Sequence, residues 1–160
     1  MTLYFYEWSC RMPEETSPIR VALADDHAVF REGVKLLLSL EDDIEVVAIF
    51  ENGLQVVEAI DDLDAEILLL DLRMPGLDGL DTLHRLSERN LKLKIVVLTA
   101  SEDQDQYVRA LTYGAAGVML KQSATVALPD CIRRVVNGEI WLDDQAIPLP
   151  DGQDSSIVPS

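Results

Sequence analysis

The chain has 160 residues, 48% of them hydrophobic, enough for one domain with a sizeable core. Its formal net charge of −16 excludes bulk attraction to nucleic acid or to an anionic membrane, because the phosphates would repel it. The longest apolar runs are strand-sized, and the N-terminus lacks the basic-then-apolar pattern of a secretory signal, so no membrane partner is expected.

Residues 1–18 read as an N-terminal extension. Tyr4, Phe5, Tyr6 and Trp8 crowd its start, no period continues from them, and Pro13 and Pro18 punctuate its second half. A flexible extension is the simpler reading; a segment that packs on the domain or on a partner is the sharper one, since exposed aromatic clusters are costly. From residue 19 to about 143 the chain alternates between two periods. Short β-type runs lie at 19–24, 45–50, 66–70, 95–99 and 117–120. Between the first two, Val29, Gly33, Leu36, Leu37 and Leu40 follow the 3.6-residue period of a helix. Leu54, Val57, Ile60 and Leu63 mark a second helix, Leu80, Leu83 and Leu86 a third, and Val108 and Leu111 a shorter fourth. Leu128, Ile132, Val135 and Val136 mark a fifth, ended by Asn137-Gly138. Pro129 fits best at a first helical position, which would start that helix near Leu128. Residues 144–160, with Pro148, Pro150, Gly152, Ser155, Ser156 and Pro159, read as a linker-like tail. Cys10 and Cys131 show no metal-type spacing and read as two reduced thiols of a cytosolic protein.

Five β-then-α units predict an α/β fold, a doubly wound parallel sheet with helices on both faces. Right-handed crossovers put all the strand C-termini on one edge, where such sheets bind ligands. That edge is where the chemistry gathers. Asp71 ends the run Ile67-Leu68-Leu69-Leu70; Asp25-Asp26 follow the first strand, Thr99 ends the fourth and Lys121 the fifth. Taken singly, the acids read as solvated loop residues, Thr99 as a turn cap and Lys121 as a strand-end surface charge. Together they form a set with a purpose. Clustered carboxylates resist ionisation unless a cation neutralises them, and the hard-ligand answer is Mg²⁺, held by Asp25, Asp26, Asp71 and the backbone carbonyl of Arg73. Asp71 is the candidate nucleophile toward phosphorus, with Lys121 and Thr99 as the charge and hydroxyl for the transferred group. His27 follows the acids but has no partner at metal-ligand spacing, and reads as a helix-start surface residue. His84 reads as surface or boundary.

The segments Val21-Ala22-Leu23-Ala24-Asp25-Asp26-His27, Leu69-Leu70-Asp71-Leu72-Arg73-Met74-Pro75-Gly76, Val97-Leu98-Thr99-Ala100 and Gly117-Val118-Met119-Leu120-Lys121 resemble, in order and spacing, the response-regulator receiver domain. Phe30-Arg31-Glu32-Gly33 and the ending Ile132-Arg133-Arg134-Val135-Val136-Asn137-Gly138-Glu139 resemble its NarL/LuxR-type subfamily. The resemblance implies a flavodoxin-like (β/α)5 fold with strand order 2-1-3-4-5. It implies that Asp71 is the phosphoacceptor, Asp25 and Asp26 help bind Mg²⁺, Thr99 is the switch hydroxyl, and Lys121 pairs with the phosphoryl group. It implies a sensor histidine kinase as phosphodonor, a cytoplasmic location, a homodimer, and DNA contact only through a helix-turn-helix output domain missing here. Such a domain is a regulatory phosphoacceptor, catalysing only its own phosphorylation and dephosphorylation. The linker-like tail favours a fragment of a transcription factor over a stand-alone receiver.

The departures from the family pattern matter. Val118 stands where many receivers carry an aromatic ring that rotates inward, so a signal here must run through the backbone near Thr99 and the fourth helix. Gln122 replaces a proline that follows the lysine in a cis peptide, and a cis bond before a non-proline residue costs about 3 kcal/mol, so a trans peptide is expected. Arg73 lies two residues past the acceptor, where receivers vary, and reads equally as a site residue or a loop arginine. Three other readings fit less well. A phosphohydrolase with an aspartyl nucleophile would place an acid where Arg73 stands. A nucleotide-binding domain would need a glycine-rich turn where the chain has Asp25-Asp26-His27. A degenerate receiver would lack one of the five site residues.

Overall fold

Strand β3 (Ile67–Asp71) is the axis of the molecule: each of its residues is buried, as a central strand covered on both faces must be. The structure, a computed structural model, describes residues 17–143. The aromatic segment at Tyr4–Trp8, Cys10 and the tail from residue 144 lie outside the described residues. Around β3 stand β1 (Ile19–Ala24), β2 (Ile44–Phe50), β4 (Lys94–Thr99), β5 (Gly117–Leu120) and a short β6 (Trp141–Leu142). All pairings are parallel and the order is β2-β1-β3-β4-β5-β6. The 2-1-3-4-5 order therefore holds, with the two-residue β6 added beside β5. Its presence extends the sheet past the expected five strands.

Alternate strand residues feed two cores. Ala22, Ala24, Leu68 and Leu70 face helices α2 (Gly53–Ala59, followed by a 3₁₀ turn at Ile60–Asp62), α3 (Gly79–Ser87) and α4 (Gln104–Thr112). Val21, Leu23, Ile67 and Leu69 face α1 (Ala28–Ser39) and α5 (Lys121–Val136). In α3 the expected stripe Leu80, Leu83 and Leu86 is buried. In α5 the expected Leu128, Ile132 and Val135 are buried too, while the other three helices correct the expected faces. In α4 the buried residues are Tyr107 and Ala110, while Val108 is exposed. In α2 they are Gly53 and Val56, continued by Ile60 in the 3₁₀ turn, while Leu54 is exposed.

The largest correction falls on α1. Val34 and Leu38 are buried, whereas Val29, Leu36 and Leu40 are 88%, 67% and 72% exposed. The helix carries two apolar stripes nearly half a turn apart at about 100° per residue, and the one expected to pack on the sheet faces outward. With Phe30, Leu37 and Ala124 it lines an open groove of about 420 Å³ between α1 and α5, close to the exposed Val126.

Helix α5 starts at Lys121 rather than near Leu128, and Pro129 sits inside it. Proline removes the hydrogen bond to the carbonyl four residues back, that of Thr125. Thr125 is exposed, so water can serve that carbonyl, and the apolar face Ala124, Leu128, Cys131, Ile132 and Val135 is not interrupted. The helix ends as expected. Gly138, at φ 98°, donates to the Val135 carbonyl at 3.0 Å, and the Glu139 N–H reaches the Arg134 carbonyl at 3.1 Å, together a Schellman cap. No cis peptide occurs among the described residues, so the Lys121–Gln122 bond is trans as expected. No helix among them is long and apolar enough to cross a membrane.

Candidate functional site

Asp25 follows β1 directly and is wholly buried. Its N–H donates to the Phe50 carbonyl at 3.1 Å, which extends the β1–β2 pairing by one residue and draws the carboxyl to the sheet edge. Its Oδ1 accepts the His27 N–H at 2.7 Å, a turn closed by the side chain that fixes the carboxylate plane. Arg31 Nη1 donates to the Asp25 carbonyl at 2.8 Å. Asp26, next in the chain, is exposed.

Asp71 is the last residue of β3 and 1% exposed. Its Oδ1 accepts the Arg73 N–H at 3.1 Å and its Oδ2 accepts from Lys121 Nζ at 3.1 Å. Gly79 braces the backbone behind it: its N–H donates to the Leu72 carbonyl at 2.9 Å, and a Cβ there would fall 2.3 Å from the Asp71 carbonyl oxygen. Lys121 opens α5, and its Nζ lies 2.7 Å from Asp25 Oδ2 with the Phe30 ring centroid at 4.4 Å. One ammonium thus bridges two buried carboxylates supplied by different strands.

That ammonium leaves the site electrically incomplete. The Asp71 carboxyl is held above its usual pKa chiefly by burial; the Asp25 charge pushes the same way, while the Arg73 N–H and Lys121 oppose both. Asp25 Oδ2 is buried against the Lys121 ammonium, a single positive charge that it shares with Asp71. A divalent cation would relieve both conditions. One atom each from Asp25, Asp26, His27 and Asp71 lie within 4.8 Å of one another, and the carboxylates form the hard oxygen set that suits Mg²⁺.

Thr99 and Arg73 stand at the same edge without entering this cluster. Thr99 is buried at the end of β4, and its Oγ1 accepts the Ser101 N–H at 3.0 Å. Arg73 is exposed and forms no ion pair with a described residue; what it gives the site is the backbone N–H on Asp71.

Two residues join the site that sequence reasoning passed over. His27 is exposed at the start of α1 as expected, and its ring also borders the acids: Nδ1 lies 3.3 Å from Asp25 Oδ1, 3.3 Å from Asp26 Oδ1 and 3.8 Å from Asp71 Oδ2. The only signal was its adjacency to two acids. Tyr107 is fully buried on α4, and its hydroxyl donates to the Ser101 carbonyl, in the same loop whose N–H holds Thr99. Its aromatic ring lies in one core cluster with Val118. His84 is exposed and stacks on Tyr113 at 4.6 Å, as a boundary residue.

Comparison with known proteins bears on this edge. Residues 21–133 match the family model described as "Response regulator receiver domain". The chain is 39% identical over 132 residues to the nitrate/nitrite response regulator protein NarL of Escherichia coli, an alignment covering 82% of this chain and 61% of that protein. The chain therefore spans about three fifths of the length of this curated relative. The signal receiver domain of the putative response regulator NarL of Mycobacterium tuberculosis is 32% identical and superposes with a TM-score of 0.73, covering 77% of this chain and 99% of that one. A structure of two RcsB dimers bound to two parallel DNAs is 27% identical, with a TM-score of 0.75 over 81% of this chain and 66% of that one.

Proposed function

The chain belongs to the response regulator receiver domain family, of the NarL/LuxR type, and from that premise we propose that it is the phosphoryl-accepting switch of a two-component system, phosphorylated on Asp71 by a sensor histidine kinase in the cytoplasm. The observation that carries the reading is the Lys121 bridge, 2.7 Å from Asp25 Oδ2 and 3.1 Å from Asp71 Oδ2. It marks Asp71 as a carboxylate oriented by its partners, with one oxygen on the Arg73 N–H and the other on the cation.

An Asp71 oxygen forms the bond to phosphorus as the donor's bond to phosphorus breaks, and the electron pair leaves with the donor group. Lys121, already on that carboxylate, follows the charge onto the phosphoryl oxygens. Asp25, Asp26, Asp71 and the Arg73 carbonyl would hold Mg²⁺, which supplies charge neutralisation to the transferring group. The domain catalyses nothing beyond its own phosphorylation and dephosphorylation.

The phosphoryl group adds about −1.5 to −2 charge and strong acceptors. We infer that the Thr99 hydroxyl turns toward it and gives up the Ser101 N–H. Ser101 then moves, and the Tyr107 hydroxyl bound to its carbonyl carries that movement into α4. This is a route through backbone and one tyrosine, suited to a chain with Val118 in place of an aromatic toggle. The output is a homodimer and the control of a helix-turn-helix DNA-binding domain. The groove that exposes Val29, Leu36 and Leu40 is the surface offered for the second copy, and RcsB, a relative of the same fold, has been solved as a dimer.

The test is incubation with acetyl phosphate and Mg²⁺ followed by intact mass. A single phosphate adduct that Asp71→Asn abolishes is expected. A folded protein that takes no adduct overturns the reading, and steady turnover of phosphate esters would make the protein a hydrolase instead.

A further inference from the structure

We propose that His27 is a metal ligand, so that the acidic pocket of this chain is a mixed oxygen–nitrogen site able to take a borderline first-row transition ion, such as Ni²⁺ or Co²⁺, through a contact that Mg²⁺ does not need. The proposal rests on the receiver reading for its three carboxylates and adds the imidazole, which that reading leaves unused.

Geometry carries it. His27 stands at the N-cap position of α1, yet its side chain makes no capping hydrogen bond. The ring, 62% exposed, sits at the mouth of the pocket instead, where Nδ1 lies 3.3, 3.3 and 3.8 Å from one oxygen each of Asp25, Asp26 and Asp71. Around an ion with bonds of about 2.1 Å, adjacent ligand atoms sit about 3.0 Å apart in an octahedron and about 3.4 Å apart in a tetrahedron. Two of the three separations fall in that interval, and the third exceeds it by a few tenths of an ångström.

A second observation points the same way. Asp25 Oδ2 is buried against the Lys121 ammonium at 2.7 Å, a cation that it shares with Asp71 at 3.1 Å. The same ammonium is 3.5 Å from His27 Nδ1. The pocket therefore already gathers a positive charge among the atoms proposed as ligands. Ligand chemistry decides which ions profit. Mg²⁺ takes oxygen and keeps its waters, whereas imidazole suits Ni²⁺, Co²⁺ and Zn²⁺. Transition ions bind most nitrogen and oxygen sites more tightly than Mg²⁺, so the diagnostic is the dependence on His27.

The experiment is calorimetric titration of the full untagged chain and of His27→Gln with Ni²⁺ and with Mg²⁺, read beside the visible spectrum of added Co²⁺. Removing the ligand is expected to weaken Ni²⁺ about tenfold or more and to alter the Co²⁺ bands, with Mg²⁺ affinity changed less than about threefold. His84→Gln, which removes the other histidine, should leave all three unchanged. Equal Ni²⁺ affinity in wild type and His27→Gln overturns the proposal; so does a rise in Mg²⁺ affinity in the variant, which would mean that Nδ1 carries a proton and acts as a counter-charge. In either case an acetyl phosphate adduct on Asp71 in both proteins would leave the receiver reading intact. Absence of that adduct together with absence of Mg²⁺ binding would remove the receiver reading itself.

Discussion

The two edges of the sheet handle charge in opposite ways. At the edge where the strands begin, charges are matched and shared with solvent: Arg20 meets Asp64 and Glu66, and Arg133 of α5 meets Glu41 and Asp43 in the turn before β2. At the edge where they end, Asp25 and Asp71 are buried and share one ammonium, and Asp26 adjoins them. The first arrangement joins elements; the second holds a deficit that a metal ion and a phosphoryl group can use. Stability and function are thus placed at opposite ends of the same strands, and substitutions at the two ends should behave differently.

The largest effect is expected from Gly79→Ala. The added methyl would meet the Asp71 carbonyl oxygen at 2.3 Å and Leu72 Cα at 2.4 Å, backbone atoms that cannot swing aside. Overpacking of this kind costs about 1–3 kcal/mol, and the shift is delivered to the acceptor. Loss of stability by denaturant titration and of the phosphate adduct by mass should appear together. A variant that keeps full phosphorylation would show that Asp71 does not depend on this brace.

Asp71→Asn should do the reverse for stability. The folded state holds the Asp71 carboxyl above its ordinary pKa, chiefly by burial, so it binds that proton more tightly than the unfolded chain does. The favourable contribution is present at acid pH and is lost as pH rises through the raised folded value. At neutral pH the ionised group weighs against folding. The asparagine variant should therefore melt above wild type at neutral pH, the gap closing below about pH 4. Saturating Mg²⁺ should narrow the gap from the other side by stabilising the wild type. A variant that melts lower at neutral pH would mean that Lys121 over-compensates the deficit.

Tyr107→Phe comes next. It removes the hydroxyl donor to the Ser101 carbonyl and leaves a part-buried acceptor short of a partner, worth about 1 kcal/mol. Adduct formation on Asp71 should persist, while the phosphorylation-dependent rise in apparent mass on size exclusion should weaken. An unchanged dimerisation response would remove Tyr107 from the output route.

Legibility in the sequence divides along the same line. The site edge could be read because Asp71 and Thr99, which end strands, and Asp25 and Lys121, which directly follow them, signal their chemistry by residue type at one topological place. The faces of α1, α2 and α4 could not. In α1 both Val34-Leu38 and Val29-Leu36-Leu40 satisfy the helical period, and only packing on β1 and α5 decides between them. Pro129 misled for a related reason: its missing donor matters only if the carbonyl of Thr125 is shut away from water, and burial is a property of the fold. His27 was hidden because a ligand recruited by a turn next to the acids has no spacing of its own.

The smallest effect is expected at the opposite edge, from Arg133→Ala. The guanidinium donates to Asp43 at 2.8 and 2.9 Å and to Glu41, so by geometry it is the most developed ion pair of the described residues. Yet Arg133 and Asp43 side chains are 36% and 52% exposed, and water competes for every hydrogen bond they make. Paired surface charges of this kind contribute about 0–1 kcal/mol and lose part of that in salt. A double-mutant cycle of Arg133→Ala with Asp43→Ala, by denaturant titration at low and high salt, should give a coupling below about 1 kcal/mol that shrinks with ionic strength. The phosphate adduct should be untouched in all three variants. A coupling above about 2 kcal/mol, insensitive to salt, would mean that this edge too holds charge in a low-dielectric setting, and the contrast between the two ends of the sheet would not stand.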